Sequence, residues 1–170
     1  KTKKGDFLEH YFTNNPNLKS ELREITYIYK DRRFTFQSDN GVFSKNKIDF
    51  GSQTLLETIL ENVNEVNLNI LDVGCGYGLI GIVLAKQLFS HADIIDVNKR
   101  AIHLAHNNIV NNKVDANAFL SDGYEAVTNK YDLIVTNPPI RAGKATVYRF
   151  LKDASTYLSK DGELWFVINK

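Results

Sequence analysis

Two short stretches of this chain carry residue types that could do chemistry. The first is Leu71-Asp72-Val73-Gly74-Cys75-Gly76-Tyr77-Gly78, set between an apolar run suited to a strand and one suited to a helix. Glycines there permit a tight turn and let the backbone approach a ligand, and open α/β sheets bind cofactors at such junctions. Asp96, followed by Val97, closes the next apolar run. An acid in that place can hydrogen-bond both ribose hydroxyls of an adenosine. The spacing Gly74-x-Gly76-x-Gly78 departs from the Gly-x-Gly-x-x-Gly of dinucleotide enzymes, and Asp72 precedes it. A carboxylate at the mouth of the loop would repel a pyrophosphate and attract an ammonium group. S-adenosylmethionine has the ammonium and no phosphate, so it is the expected cofactor. The plain alternative is a tight turn that binds nothing. Asp122, in Leu120-Ser121-Asp122-Gly123, could accept from an adenine amino group or simply form a turn before glycine.

The second stretch is Thr136-Asn137-Pro138-Pro139-Ile140. Consecutive prolines fix the backbone and remove its donors while leaving its carbonyls as acceptors. The Asn137 side-chain oxygen and the Pro138 carbonyl can then converge on one NH₂ group. Such a nitrogen is a weak nucleophile when its lone pair is delocalised. Two acceptors can hold that lone pair toward a methyl donor, so the contribution is positioning and electrostatics. The plain alternative is a rigid turn.

The elements that must position these motifs alternate in period. Ile25–Tyr29 and Phe34–Phe36 flank a polar break and predict a β-hairpin, followed by a turn at Asp39-Asn40-Gly41 and a loop over residues 42–51. Leu55, Leu56, Ile59, Leu60 and Val63 predict a helix, with Thr54 and Glu57 spaced as a capping box. Strands are expected at 69–73, 92–97, 116–120, 131–136 and 163–168. Helices are expected at 79–88, 99–111 and 145–158, the last closed by Lys160-Asp161-Gly162. This alternation implies βαβ units and a mostly parallel sheet. Residues 1–50 are expected to form an extension carrying the hairpin, and 51–170 the cofactor-binding unit.

A chain of 170 residues fits one such unit, and a 43% hydrophobic, 24% charged composition is that of an ordinary globular protein. A net charge of +1 gives no overall field for nucleic acid, so any RNA-binding surface must be local. Arg32 with Arg33, and Arg141 with Lys144, are the candidates, each with a solvated surface as its plain alternative. The single cysteine, Cys75, excludes an internal disulfide and fits a reducing compartment. The apolar runs are too short to span a bilayer, and no apolar signal region follows the basic first residues. The cytoplasm is the expected location, and a monomer the expected state. His10, His91, His103 and His106 share no metal-ligand spacing with Cys75, so no metal is expected.

Taken together, the glycine loop, Asp96 and Asn137-Pro138-Pro139-Ile140 resemble the class I S-adenosylmethionine-dependent amino-methyltransferases. Gly41-Val42-Phe43-Ser44 and Asp49-Phe50-Gly51-Ser52-Gln53 look like the segment ahead of the glycine loop in bacterial 16S ribosomal-RNA guanine-N2 methyltransferases. The resemblance covers roughly residues 20–170. It implies a Rossmann-like α/β fold with helices on both faces of the sheet. It implies that Asp72, Gly74 and Gly76 shape the methionine end of the site, with Gly51 and Ser52 closing over it, and that Cys75, Gly78, Val97 and Asn137 also line the cofactor. Asp96 would meet the ribose, Asp122 the adenine, and Asn137 with Pro138 the target amine. The expected reaction is methylation of a guanine amine in ribosomal RNA. Ile140 departs from the family's aromatic residue, and a small stand-alone member without the extra N-terminal domain of larger relatives is expected. The family's last helix and strands would follow Lys170, so the native chain is expected to continue. The rivals are a protein glutamine N-methyltransferase and a non-catalytic RNA-binding or assembly module. A nicotinamide-dependent dehydrogenase is a third, disfavoured by the loop spacing and Asp72.

Overall fold

In the computed structural model, which describes residues 18–42, 47–138, 141 and 143–168, the hairpin forms where aromatic and β-branched residues flank Lys30-Asp31. β1 (Arg23–Tyr29) pairs antiparallel with β2 (Arg32–Ser38), and Lys30 adopts φ 51° at the turn. Alternation places Ile25 opposite Phe36 and Tyr27 opposite Phe34, all four buried.

After the hairpin come α1 (Phe50–Asn62), β3 (Asn69–Val73), α2 (Leu79–Gln87), β4 (His91–Asp96) and α3 (Lys99–Asn112). β5 (Ala116–Leu120), β6 (Tyr131–Thr136), α4 (Lys144–Tyr157) and β7 (Leu158–Phe166) complete the described chain. The sheet order is β5-β4-β3-β6-β7, and every neighbouring pair is parallel. This is the expected Rossmann-like arrangement. Neighbouring strand residues point to opposite faces, which creates two cores. Ile70, Ile94 and Val135 pack with α1, α2, α3 and the hairpin. Leu71, Ile95 and Ile134 pack with Phe150 and Ala154 of α4. A Cβ on Gly81 would lie 2.4 Å from Ile94, so the glycine lets α2 press directly onto β4.

The chain winds outward from β3 to β5 and then returns to the other side of β3 as β6. A crevice opens at such a switch point, beyond the carboxyl ends of the two strands. The glycine loop follows β3 and Asn137 follows β6, so the topology brings the two motifs together.

Two sequence expectations need correction. The helix predicted from Thr54 begins four residues earlier, at Phe50, and Thr54-Glu57 is no capping box. Asp49 caps the helix instead, its carboxylate accepting the Ser52 amide at 3.0 Å, while Glu57 accepts the Tyr27 hydroxyl at 2.7 Å. Lys160-Asp161-Gly162 does not stop a helix but bulges within β7. The register slips there between Tyr131 and Leu133, and Asp161 adopts φ 66°. Among the described residues, no helix is long and apolar enough to cross a membrane.

Candidate active site

The glycine loop turns by adopting left-handed backbone at Gly74 (φ 74°), Gly76 (φ 57°) and Gly78 (φ 105°). The amides of Gly74 and Cys75 both donate to the Ile95 carbonyl at 2.9 Å, which ties the loop to the end of β4. Asp96 completes the brace: one carboxylate oxygen accepts the Gly76 amide and the other the Asn98 amide, each at 2.9 Å. Burial raises the Asp96 carboxyl against these amide donors and that of Val97. Asp96 therefore shapes the loop as well as standing where a ribose is expected.

Asp72 is buried on β3 beneath the loop, and its carboxylate accepts the Gly81 amide at 2.9 Å. Burial pushes its carboxyl up to about 7, against the Gly81 donor and with help from the negative charge of Asp96. It lines the same cavity as Gly74, Gly76 and Asn137. A buried carboxyl with one hydrogen bond suits a cationic ligand group, which would hold it ionised. Cys75 is buried, and burial together with Asp96 and Asp72 keeps its thiol far above the ordinary value, so it is no nucleophile.

Across the cavity, the Asn137 side-chain nitrogen donates to Asp49 Oδ2 at 3.0 Å and to Ser52 Oγ at 2.9 Å. Asp49 caps α1 and Ser52 sits in its first turn, where Gly51 is also buried. Asp49 can only accept, so the amide nitrogen must face α1 and the amide oxygen must face away. Thr136 Oγ1 donates to the Val73 carbonyl at 2.8 Å, locking the end of β6 to the end of β3. Pro138 is buried; Pro139, Ile140, Phe43 and Ser44 lie outside the described residues.

The turn at Asp39-Asn40-Gly41 is clamped above this site. Asn98 donates to the Gly41 carbonyl at 2.9 Å, and Arg100 donates to the carbonyls of Asn40 at 2.7 Å and Leu18 at 2.6 Å. Val42 thereby reaches Gly76, 3.9 Å from where a Cβ would stand. Asp49, Asn98 and Val42 were not assigned roles from the sequence. An Asp three residues before Ser52 is an N-cap signal, and Asp49 also opens the segment that carries the family resemblance, but neither clue gave it a role.

Other sequence candidates lie further out. Asp122 follows β5 as an exposed residue whose carboxylate pairs with Arg149 Nη2 at 2.9 Å. Arg141 and Lys144 are exposed a few residues beyond Asn137. Arg32 and Arg33 are elsewhere: β2 runs along α3 with Gln37 beside Asn108 and Thr35 beside Asn112. The hairpin tip thus passes the carboxyl end of α3, at the opposite end of the sheet from the glycine loop. His91 sits at that far end too, between Asp93 and Asp115 at 2.9 Å from each. Among the described residues, no group of three or more His, Cys, Asp or Glu side chains is arranged to hold a metal ion.

A sequence profile of the family described as the methyltransferase small domain matches residues 33–170. YbxB, an uncharacterized protein of Bacillus subtilis, is 41% identical over 95% of this chain and 82% of its own length. Ribosomal RNA small subunit methyltransferase C of Haemophilus influenzae is 34% identical over 92% of this chain and 48% of its own. Among solved structures, the 16S rRNA N2 G1207 methyltransferase of Thermus thermophilus, in complex with AdoMet and guanosine, superposes with a TM-score of 0.80. It is 29% identical, with 89% of this chain and 43% of that one covered. The chain thus spans about half the length of the ribosomal RNA methyltransferases that it matches.

Proposed function

Because this chain belongs to the methyltransferase small-domain family, whose members use S-adenosylmethionine, we propose that it methylates the N2 amine of a guanine in small-subunit ribosomal RNA. The observation that carries the reading is the pinned amide of Asn137. Its nitrogen is occupied by Asp49 and Ser52, which leaves its oxygen to accept from an incoming amine. The residues present fit the cofactor: Asp72 offers a buried carboxylate to an ammonium group, and Asp96 keeps lone pairs for ribose hydroxyls.

When bound, S-adenosylmethionine supplies an electrophilic methyl group on a positively charged sulfur. The chain's own residues then hold the nucleophile. Asn137 Oδ1 and the Pro138 carbonyl accept the two N–H bonds of the guanine amine. That leaves the nitrogen lone pair, perpendicular to the base plane, aimed at the methyl carbon. The two acceptors also stabilise the positive charge that develops on the nitrogen as it is alkylated, a charge discharged when one N–H proton is lost to solvent. No side chain need become covalently attached. Arg141 and Lys144, close in the chain to Asn137, are the phosphate contacts this reading expects.

The test is methylation of small-subunit RNA, free and assembled, with isotopically labelled S-adenosylmethionine, followed by mass spectrometry of the nucleosides. N2-methylguanosine is the expected product. Label confined to ribosomal protein would move the substrate to a glutamine amide, and no transfer to either would end the reading.

A further inference from the structure

We propose that Asp49 is a positioning residue for Asn137: with Ser52, it decides which end of the Asn137 amide faces the reacting amine. The proposal rests on reading Asn137 as the acceptor for that amine. An amide is nearly symmetric in shape, and a half-turn about its last torsion exchanges oxygen for nitrogen. In one orientation Asn137 offers a lone pair to the target; in the other it would present N–H bonds to a group that is itself a donor. Something must choose between them, and the local sequence does not, since the residues after Asn137 are prolines.

The choice is made from α1. Asp49 Oδ2 accepts from Asn137 at 3.0 Å, and Ser52 Oγ lies 2.9 Å from the same nitrogen. A flipped amide would set its oxygen against a carboxylate oxygen at that distance, acceptor against acceptor. Asp49 cannot easily swing away, because the same Oδ2 caps α1 by accepting the Ser52 amide at 3.0 Å. The Asp49 carbonyl also accepts the Gln53 amide at 3.0 Å, the first backbone bond of the helix. The helix start therefore fixes the carboxylate, and the carboxylate fixes the amide. One oxygen serves two donors, so the geometry of the cap is transmitted to the site.

Asp49→Ser separates the two roles. Serine caps a helix about as well as aspartate but is too short to reach Asn137. Losing a charge-assisted hydrogen bond of this kind predicts single-turnover methyl transfer slower by roughly tenfold to a hundredfold, with the melting temperature little changed. A polarity swap gives the sharper test. Asn137→Asp alone brings two carboxylates together and should be slow. Adding Asp49→Asn restores a donor–acceptor pair with its sense reversed, so the double variant should exceed Asn137→Asp by about tenfold, although Asp49→Asn slows the wild type. A second readout needs no substrate. The side-chain amide protons of Asn137, identified by their disappearance in Asn137→Ala, should exchange with water at least several-fold more slowly in the wild type than in Asp49→Ser. If the double variant is no faster than Asn137→Asp, or if amide exchange ignores Asp49→Ser, the proposal is overturned. If amide exchange follows Asp49 but the wild type leaves RNA unmethylated, the hold of Asp49 on Asn137 stands and the guanine reading fails.

Discussion

Asn108 of α3 hydrogen-bonds both backbone groups of Gln37 on β2, donating to its carbonyl at 3.0 Å and accepting its amide at 2.8 Å. One helical turn on, Asn112 repeats the pattern on Thr35, donating at 2.9 Å and accepting at 3.2 Å. Two asparagines at i and i+4 thus pair with alternate residues of a strand edge, as a third strand would. The Asn108 nitrogen also donates to the Tyr77 carbonyl at 2.7 Å, inside the glycine loop. Hairpin, helix and loop are joined through one buried side chain.

Asn108→Ala should therefore cost more than a typical helix substitution. It strands three backbone groups, two on Gln37 and one on Tyr77, in a buried setting. The expected loss is about 2–4 kcal/mol, a fall in melting temperature of about 5–15 °C for a domain of this size. Cofactor affinity should fall too, because Tyr77 loses its anchor. Calorimetric unfolding and a binding titration check both; a change below about 1 kcal/mol would show that water replaces the ladder.

As the proposed partner of the cofactor's ammonium group, Asp72 would link cofactor binding to pH. Its carboxyl is raised from 3.8 to about 7, so near neutrality it is partly protonated in the free protein. An ammonium group beside it favours the ionised form. Affinity for S-adenosylhomocysteine should then rise by up to about tenfold per pH unit below 7 and level off above. Binding should release a proton, visible as a dependence of calorimetric heat on the buffer's ionisation enthalpy. In the free protein the raised carboxyl works against folding: stability falls as pH climbs from about 4 to 7. Asp72→Asn should flatten both dependences. A flat wild-type affinity from pH 5.5 to 7.5 would remove Asp72 from the ammonium site.

His91 acts in a different window. Burial alone would lower it, but hydrogen bonds to Asp115 and Asp93 outweigh burial and raise it above 6.5. Asp93 is itself held by the Tyr131 hydroxyl at 2.6 Å. A histidine raised on folding stabilises fully below its unfolded value and loses that contribution as pH rises through the folded one. Wild-type stability should thus decline from pH 6.5 upward relative to His91→Gln, while activity at fixed fold is untouched. Parallel stability curves for the two proteins would show that folding leaves the His91 titration unshifted.

What could be read in advance was local. The glycine loop and Asn137-Pro138 are contiguous motifs, and strand–helix alternation is periodic over long stretches, so the parallel sheet followed. The start of α1 was missed because Phe50 and Gly51 are poor helix openers on propensity. The bond that favours a start there is the cap that Asp49 makes to the Ser52 amide, a signal masked by the apparent capping box at Thr54-Glu57. Asp161-Gly162 carries the signal of a chain break, and only pairing with β6 makes it a bulge. Asn108 and Asn112 read as a polar helix face until a strand edge is laid against them. Likewise, no sequence pattern reveals that Arg32 and Arg33 fall at the far end of the sheet.

That placement separates the two basic pairs. A base reaching Asn137 brings its flanking phosphates near the segment of Arg141 and Lys144, not near the hairpin tip. Arg141→Ala with Lys144→Ala should weaken RNA binding and reduce its salt slope by about one or two. Arg32→Ala with Arg33→Ala should leave single-turnover transfer on a short RNA substrate within about twofold. Fluorescence titrations across a salt series measure the first, and quench-flow the second. If the hairpin pair carries the slope instead, the RNA crosses a longer path than the site requires.

Asn137→Ala isolates the catalytic step. Of the proposed cofactor contacts only Ser52 touches this side chain: the glycine loop is braced by Ile95 and Asp96, and Asp72 by Gly81. Removing it leaves Asp49 capping α1 through Ser52, so the fold is expected to hold. S-adenosylhomocysteine should bind within a few-fold of wild type. Methyl transfer should fall roughly a hundredfold, the cost of about 3 kcal/mol when one preorganised group that acts on developing charge is lost. The two measurements are independent, a calorimetric titration and a single-turnover assay with labelled donor. An unchanged rate would reduce Asn137-Pro138 to a rigid turn, and the acceptor for the amine would have to be a backbone carbonyl alone. A lost rate together with lost cofactor binding would place Asn137 at the methionine end of the cofactor, beside Ser52. Only a large rate loss with intact binding fits an amide held by Asp49 so that its oxygen meets the substrate.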